Sequence, residues 1–206
     1  MSTFELYWAK NTGAMAPHLV LELAKAPYTL HVVDTAAGEQ RTAAYRALNP
    51  LGQVPVLKLP EGTVMTESAA MLLHLAERFP ATGLLPPEAS AARAQVQRWL
   101  LFLAVNVYET ALRVYYSERY TTDPAGADAV RAAANAALAR QWEILEAALQ
   151  PGPFLLGAHR SIADLYLLML SGWTDHAASL PNVQRTKAAL LEDPVVRRVW
   201  EQHTQD

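Results

Sequence analysis

The chain changes character between residues 80 and 90, and this change limits the folds that it can adopt. Before this point, short strand-like runs alternate with helical runs, whereas only helical patterns follow it. The segment PATGLLPPEASA between the two halves is rich in proline and small residues, as linkers are. We therefore predict an α/β domain over residues 1–80, a linker over 81–91 and an all-helical domain over 92–206.

The first half is predicted to have the element order β-α-β-α-β-β-α. Strand-like runs begin at Phe4 and Tyr28, and the runs VPVLKL and TVM flank the turn Pro60–Gly62, which indicates a hairpin. Helical spacing follows each of the first two strands and the hairpin. We expect parallel pairing in the first part and a terminal hairpin, which together give a small sheet covered by helices.

The second half carries long helical patterns. One predicted helix runs from about Ala92 to Tyr120, and another spans the alanine-rich segment Ala125–Ala148. The run SIADLYLLMLSGW is apolar on nearly all sides, so we predict a buried central helix there. Ser161 and Asp164 stand at its start in the Ser-x-x-Asp spacing of a capping box. We expect these two residues to cap the central helix and to make no contact with a substrate.

The composition excludes several kinds of chemistry. The chain has no cysteine, which rules out disulfides, zinc–thiolate sites and a protein thiol as nucleophile. A net charge of −3 gives no sign of a surface for nucleic acid. The histidines form no i, i+4 pair, so we expect no metal site. The apolar runs are too short for a membrane span and the N-terminus lacks a signal-peptide pattern, so we expect a cytoplasmic protein.

Pro55 interrupts a strand-like run. Proline removes a donor from the hydrogen-bond ladder and is usually excluded from central strands, yet Pro55 lies between Val54 and Val56. The tripeptide TES follows about ten residues later, at the predicted start of a helix. An edge-strand proline and an ordinary helix cap would explain these features if each occurred alone.

Three motifs together resemble the glutathione transferase family. NPLGQVPVL is similar to the family's Asn-Pro-x-Gly-x-Val-Pro-x-Leu signature, TES to its Glu/Gln-Ser motif, and SIADLYL to the Ser/Thr-x-x-Asp box of its C-terminal domain. The separations of the motifs and the two-part organisation match the family over nearly the whole chain. The resemblance implies a thioredoxin-like N-terminal domain, an all-helical C-terminal domain, and glutathione as cosubstrate without a metal.

The resemblance also assigns roles in binding glutathione. It implies a cis Val54–Pro55 bond, which turns the N–H and C=O of Val54 toward the cysteinyl backbone of glutathione, as an added strand would. Ser68 would hold the γ-glutamyl carboxylate at a helix N-terminus, and Glu67 would pair with the neighbouring ammonium group. Gln53 is a further candidate for this ligand. The candidates for the glycyl carboxylate are Lys10, Arg41 and His31.

A glutathione thiol needs help to ionise, because its pKa of about 8.5 leaves little thiolate at neutral pH. In the family, a Tyr, Ser or Cys near the end of the first strand or the start of the first helix donates a hydrogen bond to the thiolate. Cysteine is absent here, which excludes the cysteine-type members as a close mechanistic match. Tyr7 in ELYWA resembles the Tyr of the tyrosine-type classes, so the resemblance makes it the first candidate, followed by Thr12 and Asn11 in the segment KNTGA. The structural alternative for Tyr7 is a packed strand aromatic. Backbone N–H groups of the first helix could also stabilise the thiolate.

The long helix of the second half carries several aromatic residues. In the family this helix lines the site for the electrophile, so the resemblance implies Tyr108 and Tyr115 there, although aromatic stripes at helical spacing are often core. Family members are usually homodimers, and we expect one here. The implied activity is transfer of glutathione to a small hydrophobic electrophile. The alternatives are a non-catalytic glutathione-binding or regulatory protein, and a glutathione-dependent peroxidase, dehalogenase or isomerase.

Overall fold

The chain forms two units of different architecture. The computed structural model describes residues 3–205. The first unit comprises the residues up to Leu85 together with those from Leu191 onward, and the second unit runs from Pro86 to Leu190. The first unit contains the sheet, and the second consists of helices and short turns.

Along the described part of the chain, the elements follow one another in the order β-α-β-α-β-β-α and then six further helices. The strands are β1 (Phe4–Trp8), β2 (Tyr28–Val32), β3 (Val56–Lys58) and β4 (Val64–Met65). The helices are α1 (Met15–Leu23), α2 (Ala43–Arg46), α3 (Ser68–Arg78), α4 (Ala91–Leu101), α5 (Glu109–Tyr115), α6 (Ala127–Ala148), α7 (Ile162–Ser171), α8 (Pro181–Leu191) and α9 (Pro194–Thr204). Within residues 3–205, no helix has the length and apolar character that crossing a membrane requires.

The sheet of the first unit has the strand order β2-β1-β3-β4. β1 pairs in parallel with β2 and antiparallel with β3, and β3 pairs antiparallel with β4. Parallel strands need a crossover, and α1 supplies it between β1 and β2. The predicted order of elements, the parallel pair and the terminal hairpin are therefore confirmed.

The side chains of β1 alternate between the two faces of the sheet. Phe4 and Trp8 are buried on one face, whereas Tyr7 is half-buried on the other. The ring of Phe4 lies 5.8 Å from that of Phe79, which directly follows α3, and the ring of Trp8 lies 6.5 Å from that of His18 in α1. Helices α1 and α3 therefore cover the face of Phe4 and Trp8, and they also contact each other.

Helix α9 belongs to the first unit and packs against α1. His203 of α9 and His18 of α1 are both buried, and Nε2 of His203 lies 2.9 Å from Nδ1 of His18. The second nitrogen of His18 lies 2.9 Å from the hydroxyl of Tyr28, which donates to Glu22. Burial lowers the pKa of His18 to about 4 and that of His203 to about 3. Both rings are consequently neutral at neutral pH.

Helix α7 is the central helix of the second unit, and all of its residues are buried. The structure contains the predicted capping box of Ser161 and Asp164 at its start. The carboxylate of Asp164 accepts hydrogen bonds from the N–H groups of Leu155 and Ser161, each at 2.8 Å. Burial raises the pKa of Asp164, and these hydrogen bonds oppose that rise. The cap therefore also ties the preceding loop to the helix.

The prediction of one regular helix over residues 92–120 is wrong. The helix is interrupted, and it ends before residue 120. Helix α4 ends at Leu101, a π-helical segment spans Phe102–Tyr108, and α5 ends at Tyr115. The φ of −127° at Tyr116 leaves the helical region and stops the helix. Hydrogen bonds from i to i+5 widen the π-helical segment, so they rotate the side chains of α5 relative to those of α4.

We expect Asp164→Ala to lower the free energy of unfolding by about 3 kcal/mol, because two buried N–H groups lose their acceptor. Urea unfolding followed by circular dichroism measures the loss. Asp123→Ala is the matched control: Asp123 is exposed and caps a short turn through the N–H of Ala125, so its loss should cost less than about 1 kcal/mol. Equal losses in the two variants would contradict the expectation that the buried cap contributes more to the free energy of unfolding than the exposed one.

The buried histidine pair should make stability depend on pH. An unfolded histidine has a pKa of about 6.5, so below this pH the unfolded chain binds protons that the folded pair does not. The contribution of the pair is therefore complete above about pH 6.5 and is lost as the pH falls toward 4. We expect the Tm to fall between about pH 7.5 and 5, and to fall less in the double variant His18→Asn, His203→Gln.

The control for this pH dependence is His159→Gln, since His159 is exposed. This variant should keep the wild-type change in Tm over the same pH range. If the double variant kept it as well, the buried pair would not be its source.

Candidate functional site

Three segments of the first unit meet at one end of the sheet. β1 and β3 run antiparallel, so the segment after β1 lies beside the residues that precede β3. β3 and β4 pair through Leu57 and Met65, and Val54 and Ser68 each lie three residues beyond this pair, at the same end. The loop before α1, the start of β3 and the start of α3 are thereby brought together.

The Val54–Pro55 peptide bond at this end is cis, as predicted. Pro55 is buried and Val54 is half-buried. β3 begins only at Val56, so the missing N–H of Pro55 removes no donor from the ladder. The N–H and C=O of Val54 likewise lie outside the strand pairing. The interruption of the strand therefore leaves the main chain at Val54 outside the sheet pairing, next to the start of α3.

Side chains that sequence reasoning missed hold the loop before the cis bond. The carbonyl of Gln53 accepts hydrogen bonds from the Tyr45 hydroxyl at 3.0 Å and from the Asn49 side-chain amide at 2.8 Å. Gly52 has a φ of +62°, and a Cβ there would lie 2.7 Å from the carbonyl oxygen of Gln40, so only glycine fits. The Asn-Pro pair that opens the motif was the available signal for Asn49. Gln53 itself is exposed, and these two hydrogen bonds fix its backbone carbonyl.

Helix α3 begins at the same end, directly after a strained residue. Glu67 is exposed and has a φ of +64°, which is uncommon for a residue other than glycine and is characteristic of functional sites. Ser68 is the first residue of α3 and is buried. The first turn of α3 contains no acidic side chain, so its positive end is not neutralised from within the helix. The start of α3 is therefore suited to an anion.

The segment before α1 brings a second helix N-terminus to this end. The hydroxyl of Thr12 donates to the carbonyl of Ala9 at 2.7 Å and accepts from the N–H of Ala14 at 3.3 Å. Asn11 is exposed and has a φ of +53°. The first turn of α1 has no acidic side chain and no side-chain cap. Thr12 thus orders the turn that leads into a helix whose positive end is available to an anion.

Tyr7 points to the opposite face of the sheet from α1. Its ring stacks on His31 with centroids 4.6 Å apart and meets the edge of Tyr45 in α2 at 6.2 Å. An open pocket of about 510 Å³ lies on this face, bordered by Tyr7, His31, Glu39 and Tyr45. Tyr7 and Val54 pack against the same small apolar cluster. The structure therefore places Tyr7 near the cis bond but on the side of α2, whereas Thr12 leads into α1.

The three candidates for a carboxylate-binding cation have different surroundings. Nε2 of His31 lies 3.0 Å from a carboxylate oxygen of Glu5. The ammonium group of Lys10 donates to the carbonyl of Gln205 at 2.6 Å. Arg41 is exposed at the end of a short 3-10 turn. These contacts leave Arg41 as the candidate without a close partner among the contacts observed in residues 3–205.

The two tyrosines predicted for the second unit converge on Trp173, which sequence reasoning missed. The ring of Tyr108 is half-buried and lies 4.9 Å from that of Trp173. Tyr115 is exposed and donates its hydroxyl proton to the carbonyl of Trp173. Ser161 and Asp164 lie at the other end of α7, about 15 Å away along the helix axis. The aromatic group is therefore separate from the helix cap.

A sheet in the order β2-β1-β3-β4, with a cis proline before β3, defines a thioredoxin-like domain. The family model of the glutathione S-transferase N-terminal domain matches residues 14–78. Glutathione S-transferase GST-4.5 of Xanthomonas campestris pv. campestris is 30% identical over 173 residues, which span 84% of this chain and 83% of that protein. The chain belongs to the glutathione S-transferase family.

Solved structures support the same assignment over nearly the whole chain. A glutathione transferase homolog from Sulfitobacter with bound glutathione matches with a TM-score of 0.91 at 27% identity, covering 99% of this chain and 100% of that one. A sphingomonad glutathione S-transferase complexed with glutathione matches with a TM-score of 0.83 at 27% identity, covering 98% and 100%. The predicted fold, a thioredoxin-like domain followed by helices, is confirmed.

Proposed function

We propose that this protein is a glutathione transferase, which activates the thiol of glutathione for attack on a small hydrophobic electrophile. The observation that carries the proposal is the meeting, at one end of the sheet, of the unpaired main chain at Val54 with the N-termini of α1 and α3. Membership of the glutathione S-transferase family and similarity to glutathione-bound structures support it.

The main chain of glutathione would bind beside Val54. The N–H and C=O of this residue lie outside the ladder, so they can pair with the cysteinyl backbone in the manner of an added strand. Gln53 is exposed next to Val54 and offers a further amide to the same ligand. Because Val54 and Ser68 lie at the same end of the hairpin, a peptide bonded to Val54 extends toward the start of α3.

The γ-glutamyl group would bind at the start of α3. Its carboxylate can accept hydrogen bonds from the N–H and hydroxyl of Ser68, and the positive end of the helix favours its charge. The carboxylate of Glu67 is exposed, so it can pair with the neighbouring ammonium group. The left-handed backbone of Glu67 supports this role, since strained residues of this kind persist where the geometry is functional.

The thiolate would form near the start of α1. A hydrogen bond or a positive helix end favours the anion and lowers the pKa of a thiol. The hydroxyl of Thr12 stands in the turn before α1, and its proton can rotate from the carbonyl of Ala9 toward a bound sulfur. Asn11 is exposed beside it. We favour Thr12 and Asn11, together with the N–H groups of α1, over Tyr7, because Tyr7 points to the face of α2.

The proposed reaction is a nucleophilic substitution by the thiolate of bound glutathione. The sulfur attacks the electrophilic carbon, a thioether bond forms, and the leaving group departs with its electron pair. Tyr108 and Tyr115, grouped around Trp173, are the proposed contact surface for the electrophile, since aromatic faces suit an apolar ligand.

Within the described residues, no group of three or more histidine and carboxylate side chains is placed to hold a metal ion. The exposed apolar side chains of Leu101 and Val105 are available for a homodimer interface. A homodimer in the cytoplasm, acting without a metal, completes the proposed function.

The proposal is tested first by binding and turnover. Calorimetry with glutathione should show binding at millimolar concentration or tighter, and an aromatic halide should be converted to its glutathione conjugate. No binding at millimolar glutathione would overturn the proposal. Binding without turnover would favour the regulatory alternative, and turnover of an organic hydroperoxide alone would favour a peroxidase.

Ser68→Ala locates the binding site within this experiment. The variant should bind glutathione about tenfold more weakly, because a hydrogen bond to a charged group is lost. Ser179→Ala is the matched control, since Ser179 is exposed in the second unit, and its affinity should equal that of the wild type. An unchanged affinity in Ser68→Ala would mean that Ser68 only caps α3.

The thiol activator is assigned by comparing Thr12→Ala with Tyr7→Phe. Thr12→Ala should raise the pKa of the bound glutathione thiol and lower kcat at least about tenfold, because a donor to the thiolate is removed. Tyr7→Phe should stay within about twofold of the wild type, and Thr12→Ser should retain activity because it keeps the hydroxyl. The opposite pattern, with the loss in Tyr7→Phe, would assign the role to Tyr7.

A further inference from the structure

We propose that His203, in the last turn of α9, is a positioning residue that fixes the segment Lys10–Ala14 for activation of the thiol. The inference rests on the proposed function, because this segment carries the favoured activating groups. His203 is fully buried, so it acts through the groups that it holds and not on the substrate.

The end of α9 holds this segment through backbone carbonyls. The last carbonyls of a helix have no partner within the helix. The carbonyl of His203 accepts a hydrogen bond from the N–H of Asn11 at 3.1 Å, and the carbonyl of Gln205 accepts one from the ammonium group of Lys10 at 2.6 Å. Asn11 has a φ of +53°, and a strained backbone of this kind persists only where its surroundings hold it.

The imidazole of His203 fixes the position of that carbonyl. Its Nε2 lies 2.9 Å from Nδ1 of His18 in α1, and its ring centroid lies 4.7 Å from that of Trp8, the last residue of β1. β1 and α1 are the elements that flank the segment on either side. The buried ring of His203 therefore contacts both of these elements. The backbone carbonyl of the same residue accepts the hydrogen bond from the turn between them.

The bond between the two imidazoles requires at least one neutral ring, since two protonated rings would oppose N–H to N–H. The charged and titratable groups around the pair are Glu22 on α1, Tyr28 on β2 and Arg198 on α9. The hydroxyl of Tyr28 and the guanidinium of Arg198 both donate to Glu22, so the charges near the pair are mutually compensated. At neutral pH the two rings are thus uncharged and are joined by one hydrogen bond.

The experiment compares His203→Leu with His203→Gln. Leucine fills the space without a polar atom, whereas glutamine places its amide near the position of Nε2. In His203→Leu we expect hydrogen exchange at the Asn11 amide to be at least about tenfold faster. With glutathione bound, we expect a higher pKa of its thiol, read from the ultraviolet absorbance of the thiolate, and a kcat lower by about tenfold. The Kd of glutathione should stay within about twofold, because its main-chain contacts lie elsewhere.

Rescue by a conservative variant separates positioning from a loss of stability. His203→Gln should restore the exchange at Asn11, the thiol pKa and kcat toward wild-type values, and His159→Leu, at an exposed position, should leave all three unchanged. If His203→Leu fails to fold, His203→Asn replaces it in each measurement, because its amide stops short of Nε2. A lower Tm with all three quantities unmoved would overturn the inference.

The outcome for the proposed function is separate. A wild-type protein that binds no glutathione overturns the proposed function, and exchange at Asn11 in the free protein then decides whether His203 holds the segment. A wild-type protein that conjugates glutathione, with unchanged Asn11 exchange in His203→Leu, overturns the positioning role and leaves the function intact.

Discussion

The pairing of the short strand β3 with both β1 and β4 is the constraint on which the proposed site depends. β3 has only three residues, yet it sets the register of both neighbours. Because strands pair residue by residue, this register carries the loop before α1 and the start of α3 to the same end as the cis bond. The site is therefore a consequence of strand pairing. Because β1 and β4 run in the same direction, the N-termini of α1 and α3, which follow them, lie at the same end of the sheet.

The second constraint is the buried contact between α1 and α9. A buried hydrogen bond between two neutral imidazoles is worth more than an exposed one, since breaking it leaves polar atoms away from water. It joins the end of the chain to the first helix of the sheet-containing unit. The turn at Asn11 receives its backbone acceptor from that same helix end. The packing of α9 against α1 and Trp8 thus bears on the groups proposed to act on the thiol.

Local patterns predicted much of the fold because they act over a few residues. Strand alternation and the Pro60–Gly62 turn gave the order of elements and the terminal hairpin, both of which the structure contains. The family resemblance implied a cis Val54–Pro55 bond, and the structure contains it. The long helix was predicted as regular because helical periodicity alone does not distinguish an α-helix from one with a π-helical segment.

The sequence by itself determined that a part with strands precedes a helical part, the motif around Pro55, the cap of Ser161 and Asp164, and the absence of cysteine chemistry. Each depends on composition or on residues that are close along the chain. Only the tertiary structure decided that Tyr7 faces α2, that Trp173 contacts Tyr108, and that His203 meets His18 across 185 positions. Such contacts arise from the packing of whole elements, which hydrophobic periodicity orients toward a core without specifying the partner.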